Sequence, residues 1–594
     1  MSSTPAPKPR LPRWALPAAI LLATFVAYVG TLQFQFVYDD VGQIVVNTFI
    51  KQWKYLPVFF QTHVWAQFNL HAISNYYRPF FLIWLLLNFK AFGLNPLGWH
   101  LTTVIAHMLA TLAVFYFAQR LTRDRVAAGI AALLFGLLPV HLEAVAWISG
   151  VTEPLFAMLL IPAFLCYLNF REGRGGKWLA GSLLLYAVAQ FSKETAVVLP
   201  VFIGAYELLF PVAGETALRS WAKRIQRGVL LALPYAAITA IYIPARIHAL
   251  STFSITNYPV PWTVNLMTIP GLLVFYLRLL FWPVGLSAFY DTAYVTAPTF
   301  SAFILPLLIV LAVAAALAWI GWRSRSRTYW YLLLWTILPL VPVLNLKYFV
   351  KGELAHDRYL YLPSVGVCIL LGMALRRIPF GRVSLAGSEP VPAIPVAVLA
   401  LVMMATTILQ STYWANNLLL YKRGVDTAPG NNLARTDLGN ALIDAGRYEE
   451  GMEMYREVLA RDPNFWLCVY NMGYENFAHG NYERAENYLV HAAELYPIDG
   501  DTFYWLAQTE MGLGRLDRAE QAMDRALVNE PRALGYRYIM GVVLQKQGKL
   551  QPAIEMFRGE LAKNPADEKA RQALAETEAQ LKSVSTGQSP VTRR

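Results

Sequence analysis

Residues 471–497 read NMGYENFAHGNYERAENYLVHAAELYP, and residues 505–531, 34 positions later, read WLAQTEMGLGRLDRAEQAMDRALVNEP. Both stretches place small and apolar residues at helical spacing, a glycine in the middle and a proline at the end. A glycine allows a tight turn after a first helix, and a proline ends a second one. Three columns share this period: Pro463, Pro497, Pro531 and Pro565; Gly446, Gly480, Gly514 and Gly548; and Gly451, Ala485, Ala519 and Ala553. The stretch therefore predicts stacked helix pairs.

A 34-residue period is typical of tetratricopeptide repeats, whose helix pairs stack into a solenoid with a concave peptide-binding surface. We predict about four repeats plus a capping helix over 431–582, after a linker at 414–430 and before a disordered tail at 583–594. Small residues would lie at the close contacts between the two helices of a pair: Gly439, Gly473, Ala507 and Gly541. Four residues of first helices are candidates for an acceptor groove, although they could instead pack between helices: Tyr470, Asn471, Tyr504 and Trp505.

The preceding residues, 1–413, alternate long apolar runs with short polar loops, and 56% of the whole chain is apolar. This composition predicts a polytopic membrane domain. The three cysteines do not form a disulfide framework. The repeats are acidic, with 14 Lys and Arg against 21 Asp and Glu in 431–567, so the net charge of +12 belongs to the membrane part. It does not indicate nucleic-acid binding.

Basic clusters orient the apolar runs, because cytoplasmic loops are enriched in lysine and arginine. Six clusters qualify: Lys8–Arg13, Arg120–Arg125, Arg171–Lys177, Arg219–Arg227, Arg323–Arg327 and Arg376–Arg382. An even number of spans between consecutive clusters requires that two of thirteen apolar runs, 79–93 and 265–284, lie at the outer surface. Eleven spans remain, with the first read as a retained signal anchor. The N-terminus is then inside, and the repeats are outside the cytoplasm.

With this topology the remaining ionisable residues gather on the outer face. They are Asp39, Asp40 and Arg78 in the first loop; His141, Glu143 and Glu153 in the second; Lys193 and Glu194 in the third; Asp291 in the fourth; and Lys347, Lys351, Glu353, His356, Asp357 and Arg358 in the fifth. Each could be a loop charge, a structural pair or an interfacial anchor, but charges at a membrane are costly unless they are paired or functional. Their shared side predicts a cavity open to the outside.

The set suits transfer of a group from a lipid phosphate. A carboxylate can accept the proton of an attacking hydroxyl, and cations can stabilise a phosphate leaving group. Neither a GxxxxGK[ST] motif nor a GxGxxG motif in strand–helix context is present, so no nucleotide site is indicated. No cofactor is required. Carboxylates would also accept a divalent cation, but HExxH is absent and His141 and Glu143 are only two apart.

Several motifs occur in one order along the chain: FVYDD at 36–40, YYRPF at 76–80, GLNPLGWHL at 93–101, PVHLEAVAWISG at 139–150, FSKE at 191–194 and DRYLYLPSVG at 357–366. With the repeats, this order resembles the transmembrane-and-tetratricopeptide-repeat O-mannosyltransferases, which are multi-span glycosyltransferases of the GT-C superfamily. The resemblance implies inverting transfer of a sugar, mannose or another hexose, from a polyprenyl-phosphate carrier to Ser and Thr hydroxyls of a protein. The reaction would take place on the non-cytoplasmic face.

The resemblance also implies roles for individual residues. The acidic pair Asp39 and Asp40 would supply the catalytic base, with Asp39 favoured. Arg78, Lys193 and Arg358 would bind the lipid phosphate. A further set would contact substrate or support these residues: His141, Glu143, Glu153, Glu194, His356 and Asp357. The repeats would bind the acceptor polypeptide.

The sequence departs from the family pattern at Gly150-Val151-Thr152-Glu153-Pro154, where an arginine is missing, and this leaves the sugar open. The absence of an Asn-x-Ser/Thr sequon favours a bacterial plasma membrane over the endoplasmic reticulum. Two other functions compete with protein O-glycosylation. One is a non-catalytic membrane-anchored repeat scaffold or assembly factor, and the other is a glycan ligase or polymerase.

Overall fold

The computed structural model describes residues 12–66, 74–212, 221–250, 260–349, 353–379, 381, 383, 392–531, 533–564 and 567–585. Every element assigned in these residues is a helix, so the predicted all-α fold is confirmed. The chain divides into two compact units: 1–64 with 74–431, and 65–73 with 432–594. We describe each unit by itself.

The first unit is the membrane domain. Its helices are α1 Ala15–Tyr28, α2 Pro79–Phe92, α3 Pro96–Thr122, α4 Arg125–Leu137, α5 Leu142–Val145, α6 Thr152–Arg171, α7 Gly176–Ser192, α8 Leu199–Leu209, α9 Trp221–Leu250, α10 Trp262–Phe281, α11 Leu305–Ser324, α12 Arg327–Ile337, α13 Pro363–Leu375, α14 Ala393–Ser411 and α15 Asn417–Thr427. Short 3-10 turns extend several of them, including Val29–Gln33 after α1 and Glu194–Val198 before α8.

Within the described residues, eight helices are long and apolar enough to cross a membrane, or nine if the bent pair Arg125–Leu137 and Pro139–Val145 is one span. Eleven spans were predicted. Three of the predicted spans are shorter helices, α7, α8 and α13, which hydropathy alone does not distinguish from full-length spans. In contrast, α10 has 20 residues and qualifies by length and composition, although its arginine and the parity argument predicted a surface helix. The other demoted run forms the 14-residue α2.

Small residues allow the central helices of this unit to approach closely. The buried face of α4 is rich in alanine and glycine, and α4 packs against α1, α3 and α13. At Gly372 of α13, an added Cβ would lie 2.6 Å from the Ala127 carbonyl oxygen of α4. A larger side chain there would separate the helices, so this pair of small residues sets their spacing.

Contacts between charged residues join five of the six basic clusters at one end of the membrane unit. Arg376 pairs with Asp124 at 3.2 Å, Arg120 pairs with Glu172, and Arg125 donates to the Arg13 carbonyl oxygen. The Arg171–Lys177 and Arg219–Arg227 clusters meet at the buried carboxylate of Glu207, which pairs with Arg171 on one side and Arg227 at 2.5 Å on the other. These five clusters thus share one end of the bundle, as the parity argument assumed for all six. Residues 1–11 lie outside the described residues.

The segment 414–430, predicted to be a linker, contains a helix. Helix α15 occupies 417–427 and belongs to the membrane unit. Its Arg423 donates to the Leu286 carbonyl oxygen at 3.0 Å, and Asp291 accepts the Gly430 N–H at 3.2 Å. These contacts, between residues far apart in sequence, fix a segment whose own pattern does not predict a fixed position.

The second unit is the repeat solenoid. Its helices are α16 Asn432–Asp444, α17 Tyr448–Arg461, α18 Trp466–Ala478, α19 Tyr482–Leu495, α20 Gly500–Gly512, α21 Leu516–Asn529, α22 Tyr536–Lys546, α23 Leu550–Lys563 and the capping α24 Glu568–Ser585. The glycine between the helices of each pair has a φ between 74° and 79°, a left-handed conformation that glycine adopts without strain. At Gly473 an added Cβ would lie 2.7 Å from Leu489, as expected for a close contact within a pair. The tail was predicted to begin at 583, but α24 continues through Ser585, and the rest of the predicted tail lies outside the described residues.

Candidate active site

The loop after α1 turns sharply at the residue before the acidic pair. Tyr38 has a φ of 54°, a left-handed conformation that is costly for a bulky side chain. Its backbone N–H donates to Asn417 Oδ1 of α15 at 2.9 Å, and its ring packs against Trp147 and Phe289. Helix α15 therefore holds the turn that orients Asp39 and Asp40.

The two aspartates occupy different environments. Asp40 is fully buried, and its carboxylate accepts hydrogen bonds from Val37 N–H at 3.2 Å, Ser149 N–H at 2.9 Å and Ser149 Oγ–H at 2.6 Å. Asp39 keeps part of its surface exposed, and its carboxylate forms no hydrogen bond or ion pair with the described residues. Asp40 thus ties the first loop to the second, whereas Asp39 is free to contact a substrate.

Both aspartates are weak acids for their type. Burial raises the pKa of Asp39 to about 7; the Arg358 charge lowers it, and Asp40 and Glu353 raise it further. Burial also raises the pKa of Asp40 to about 7, against hydrogen bonds from Ser149 and Val37 that favour its ionised form. A carboxyl with a pKa near neutrality accepts a proton more readily than an ordinary aspartate and still ionises at physiological pH.

Each of the three predicted phosphate-binding cations pairs with a carboxylate predicted to support the site. The first is Arg358, which forms an ion pair with Glu143 through Nη1 and donates its backbone N–H to Glu143 Oε2 at 2.9 Å. Its guanidinium also lies over the Trp147 ring, 5.5 Å from the centroid. His356 Nδ1 is 3.3 Å from the same carboxylate. Glu143 therefore holds the segment 356–358 of the fifth loop against the second loop.

The second pair joins Arg78, at the start of α2, to Glu194. Arg78 Nε and Nη2 donate to the two carboxylate oxygens at 3.0 and 2.6 Å, and the Tyr76 ring lies 4.5 Å from the guanidinium. Burial alone would raise the pKa of Glu194, but the charge and hydrogen bonds of Arg78 lower it to about 2. Because guanidinium has five N–H donors and no described residue accepts a hydrogen bond from Nη1, this nitrogen can donate to a phosphate oxygen.

The third pair, Lys193 with Glu153, is the most buried of the three. The two side chains are 6% and 3% exposed, and the ammonium lies 5.6 Å from the Phe156 ring centroid and 5.9 Å from that of Tyr359. Burial lowers the pKa of Lys193 well below its usual value, and the charges of Arg78 and Arg358 lower it further, so the three basic side chains belong to one group. Their positions fit a leaving group that carries negative charge.

Two further predicted residues serve the packing around this group. Asp357 is buried, and its Oδ1 accepts a hydrogen bond from Tyr290 OH at 2.5 Å. His141 is buried between Tyr361 and Phe135, and its Nε2 lies 2.9 Å from Ser364 Oγ. It also contacts the His107 ring, and in the part of the chain that the structure describes it forms no hydrogen bond or ring contact with the three ion pairs.

Three residues near the aspartates and arginines were not predicted from the sequence. Tyr76 is affected electrostatically by Arg358, Arg78, Glu194 and Asp39, so its phenol lies among them. Its place in YYRPF beside Arg78 was a usable signal. Ser149 and Asn417 carried no such signal, because they contact the aspartate loop only in the folded chain.

The described residues contain no group of three or more His, Cys, Asp or Glu side chains arranged to hold a metal ion. A phosphate could be held by Arg78, Lys193 and Arg358, which keep cationic donors beside their carboxylate partners.

The residues predicted for an acceptor groove are partly engaged within the solenoid. Asn471 is 9% exposed and donates through Nδ2 to Asn440 Oδ1 at 2.9 Å. Tyr504 stacks on Tyr536 with ring centroids 4.8 Å apart. Trp505 packs against Tyr474 and Phe477. Tyr470, Tyr504 and Trp505 pack against neighbouring aromatic rings but remain partly exposed, so part of each ring can still contact a peptide.

Fold and site together define a polytopic all-α membrane protein with a tetratricopeptide-repeat domain. Its site is a cluster of paired basic side chains with an aspartate, Asp39, that makes no hydrogen bond to any described residue. Two sequence models, both described as tetratricopeptide repeat, match residues 476–536 and 433–461. The chain is also similar to human protein O-mannosyl-transferase TMTC1, at 27% identity over 77% of this chain and 56% of the relative. Mouse protein O-mannosyl-transferase TMTC3 is 24% identical over 92% of this chain and 64% of its own length.

These similarities confirm the resemblance to the transmembrane-and-tetratricopeptide-repeat O-mannosyltransferases over most of the chain. The chain spans 56–64% of the length of these curated relatives. Among solved structures, YrrB, a TPR protein with an unusual peptide-binding site, aligns with 27% of this chain and 84% of its own at 19% identity and a TM-score of 0.25.

Proposed function

We propose that this protein is an integral-membrane protein O-glycosyltransferase. It transfers mannose or another hexose from a polyprenyl-phosphate donor to Ser and Thr hydroxyls of a polypeptide. The proposal is carried by the Asp39 carboxylate, which is partly exposed, free of hydrogen bonds within the described residues, and under the electrostatic influence of Arg358. Similarity to proteins named protein O-mannosyl-transferases supports the same reaction.

In this reaction Asp39 accepts the proton of the acceptor hydroxyl as its oxygen attacks the anomeric carbon of the sugar. The new C–O bond forms on the face of the sugar opposite the phosphate, and the bond from the anomeric carbon to the phosphate oxygen breaks. The sugar configuration is therefore inverted, and polyprenyl phosphate leaves with the electron pair. A base with a pKa of about 7 suits this proton transfer near neutral pH.

Arg78, Lys193 and Arg358 bind the donor phosphate and stabilise the charge that develops on it. Their partners Glu194, Glu153 and Glu143 keep the cations oriented before the donor arrives, so little reorganisation is needed during the reaction. We expect this displacement to need no metal ion, because N–H donors of the three basic side chains can contact the oxygens of the departing phosphate.

The reaction takes place on the non-cytoplasmic face, and the repeats recruit the acceptor polypeptide there. The joined basic clusters support one common cytoplasmic end of the membrane unit. The membrane is a bacterial plasma membrane, with the endoplasmic reticulum as the alternative.

The test uses purified full-length protein in detergent with mannosyl-phosphoryl-polyprenol and a Ser/Thr-rich peptide, with peptide glycosylation measured by mass spectrometry. Wild-type protein is expected to add hexose to the peptide, and Asp39→Asn to lower the rate by about 10²–10⁴-fold. Asp426→Asn removes an exposed aspartate of α15 and should leave the rate unchanged. Equal rates for Asp39→Asn and wild type would disprove the base assignment. Sugar found on a glycan acceptor and never on peptide would favour a ligase or polymerase.

A further inference from the structure

The first helices of the second and third repeats have an unusual composition. Helices α18 and α20 contain no lysine or arginine, and they carry seven aromatic residues. The second helices of the same repeats carry the basic residues: Arg484 on α19, and Arg518 and Arg525 on α21. The lysine and arginine side chains of these two helix pairs are therefore confined to the second helices, and the acidic side chains of the first helices have no cation on their own helix.

Helical geometry identifies which residues line the open face of the first helices. Gly473 and Ala507 face the second helix of their own pair, since an added Cβ at Gly473 would meet Leu489 and Ala507 is fully buried. Each residue of a helix is rotated by about 100° from the one before it. Tyr474 is therefore turned away from the side of α18 that carries Gly473, and Asp501 and Trp505 are turned away from the side of α20 that carries Ala507. In a stacked repeat array the side turned away from the second helix forms the concave surface.

Aromatic rings form a continuous row along this surface. Tyr474 is 37% exposed, and its ring centroid is 4.8 Å from that of Trp505. Trp505 contacts Tyr504 at 5.0 Å, and Tyr504 stacks on Tyr536 at 4.8 Å. The row crosses from the second repeat to the fourth. Exposed faces of Trp and Tyr attract cations and pack against the methylene chains of Lys and Arg.

Carboxylates without cationic partners lie at one end of the row. Asp501 is exposed and accepts a hydrogen bond from Tyr536 OH at 2.7 Å, and it acts electrostatically on Tyr470 and Tyr504. Asp499 and Glu530 are close enough to Asp501 to affect each other's charge. Across the described residues, none of these three carboxylates has a lysine, arginine or histidine nitrogen within 4.0 Å. Burial and the neighbouring carboxyls raise the pKa of Glu530 to about 7 and also raise that of Asp499, so a cation placed here would favour their ionised forms.

We propose that this concave surface, formed by Tyr470, Tyr474, Asp501, Tyr504 and Trp505, binds an extended polypeptide segment that contains lysine or arginine; the buried Tyr536 supports it from below. The basic side chain lies across the aromatic row and directs its cation at Asp501 and the neighbouring carboxylates. The inference rests on the proposed function only in that this segment is part of the acceptor, and binding itself requires no donor or catalysis.

The experiment measures binding to purified full-length protein in detergent by fluorescence anisotropy. The probes are two fluorescein-labelled peptides of five repeats each, Thr-Ala-Lys and Thr-Ala-Glu. The repeats are acidic, with 14 Lys and Arg against 21 Asp and Glu in 431–567, so they also attract the lysine peptide non-specifically, and the site is located by comparing variants. We expect the lysine peptide to bind more tightly, with affinity that falls as salt is added.

Two variants test the surface directly. Asp501→Asn keeps an oxygen for Tyr536 and should weaken lysine-peptide binding about 3–10-fold, as expected for loss of one charge at a partly exposed site. Tyr474→Ala should weaken it to a similar degree by removing an exposed ring. The matched control is Glu449→Gln, which removes the same charge. Glu449 lies on α17, the second helix of the first repeat, and its side chain is 81% exposed. This substitution should have no effect.

The proposal is overturned if the glutamate peptide binds as tightly as the lysine peptide, or if Asp501→Asn and Glu449→Gln have equal effects. Selective lysine-peptide binding without any sugar transfer would support the surface and contradict the proposed function. Sugar transfer with equal binding of the two peptides would support the proposed function and contradict the proposed binding surface.

Discussion

The substitution Asp39→Asn should abolish activity and stabilise the fold at the same time. Burial raises the pKa of Asp39 from 3.8 to about 7. A carboxyl whose pKa is raised on folding destabilises the folded state once it ionises, so stability is lost as pH rises from about 4 to 7. Each pKa unit corresponds to about 1.4 kcal/mol. Because the side chain keeps some exposure, we expect a cost of about 2–4 kcal/mol above pH 7.

An asparagine has nearly the shape of aspartate but cannot ionise, so it removes this cost. The thermal unfolding midpoint of full-length Asp39→Asn should therefore exceed that of wild type at pH 8, and the two should be nearly equal at pH 4. Intrinsic fluorescence during heating measures both midpoints in detergent. Asp426→Asn, at an exposed side chain, controls for the loss of one charge and should show no such pH-dependent difference.

The same pKa governs the rate. If ionised Asp39 is the base, kcat/KM of wild type should rise about tenfold per pH unit below pH 7 and level off above it. The reasoning is refuted if Asp39→Asn is less stable than wild type at pH 8, or if it keeps a transfer rate within threefold of wild type. Either result would mean that Asp39 is a structural residue.

Three other predictions concern positioning and folding. Asn417→Ala removes the acceptor of the Tyr38 N–H and should lower kcat with little change in the peptide KM, and Asn417→Asp, which keeps the oxygen, should restore most of it. Glu194→Gln weakens the two-point pair with Arg78 and should raise the donor KM about tenfold in the same transfer assay, with the protein still folded by fluorescence. Gly480→Ala forces alanine to a φ of 74° with open space around its Cβ, so backbone strain alone should destabilise the chain by about 1–2 kcal/mol in a denaturant titration. An unchanged midpoint would contradict that account.

Much of the architecture follows from local sequence. The 34-residue period predicts the helix pairs, because each repeat contains its own turn glycine, helix-ending proline and small contact residues. The basic clusters predict a common end for the membrane helices, and the ion pairs of Arg376 with Asp124 and of Arg171 with Glu207 agree. The span count was less accurate, because α7 and α8 are apolar but short, and α10 is long although it carries an arginine. Hydropathy depends on composition alone, so it does not give the length of the helix that forms within an apolar run.

By itself, the sequence determined the class of this protein and the residue types of its site, since repeats and motifs are contiguous segments. Only the tertiary structure decided what each site residue does. Asp40 meets Ser149 across 109 positions, Arg358 meets Glu143 across 215, and Tyr38 meets Asn417 across 379. The sequence alone does not distinguish the roles of the two adjacent aspartates. They differ because folding brings hydrogen-bond donors to Asp40, whereas none of the described residues donates to Asp39; contacts across such distances are fixed by packing and not by local pattern.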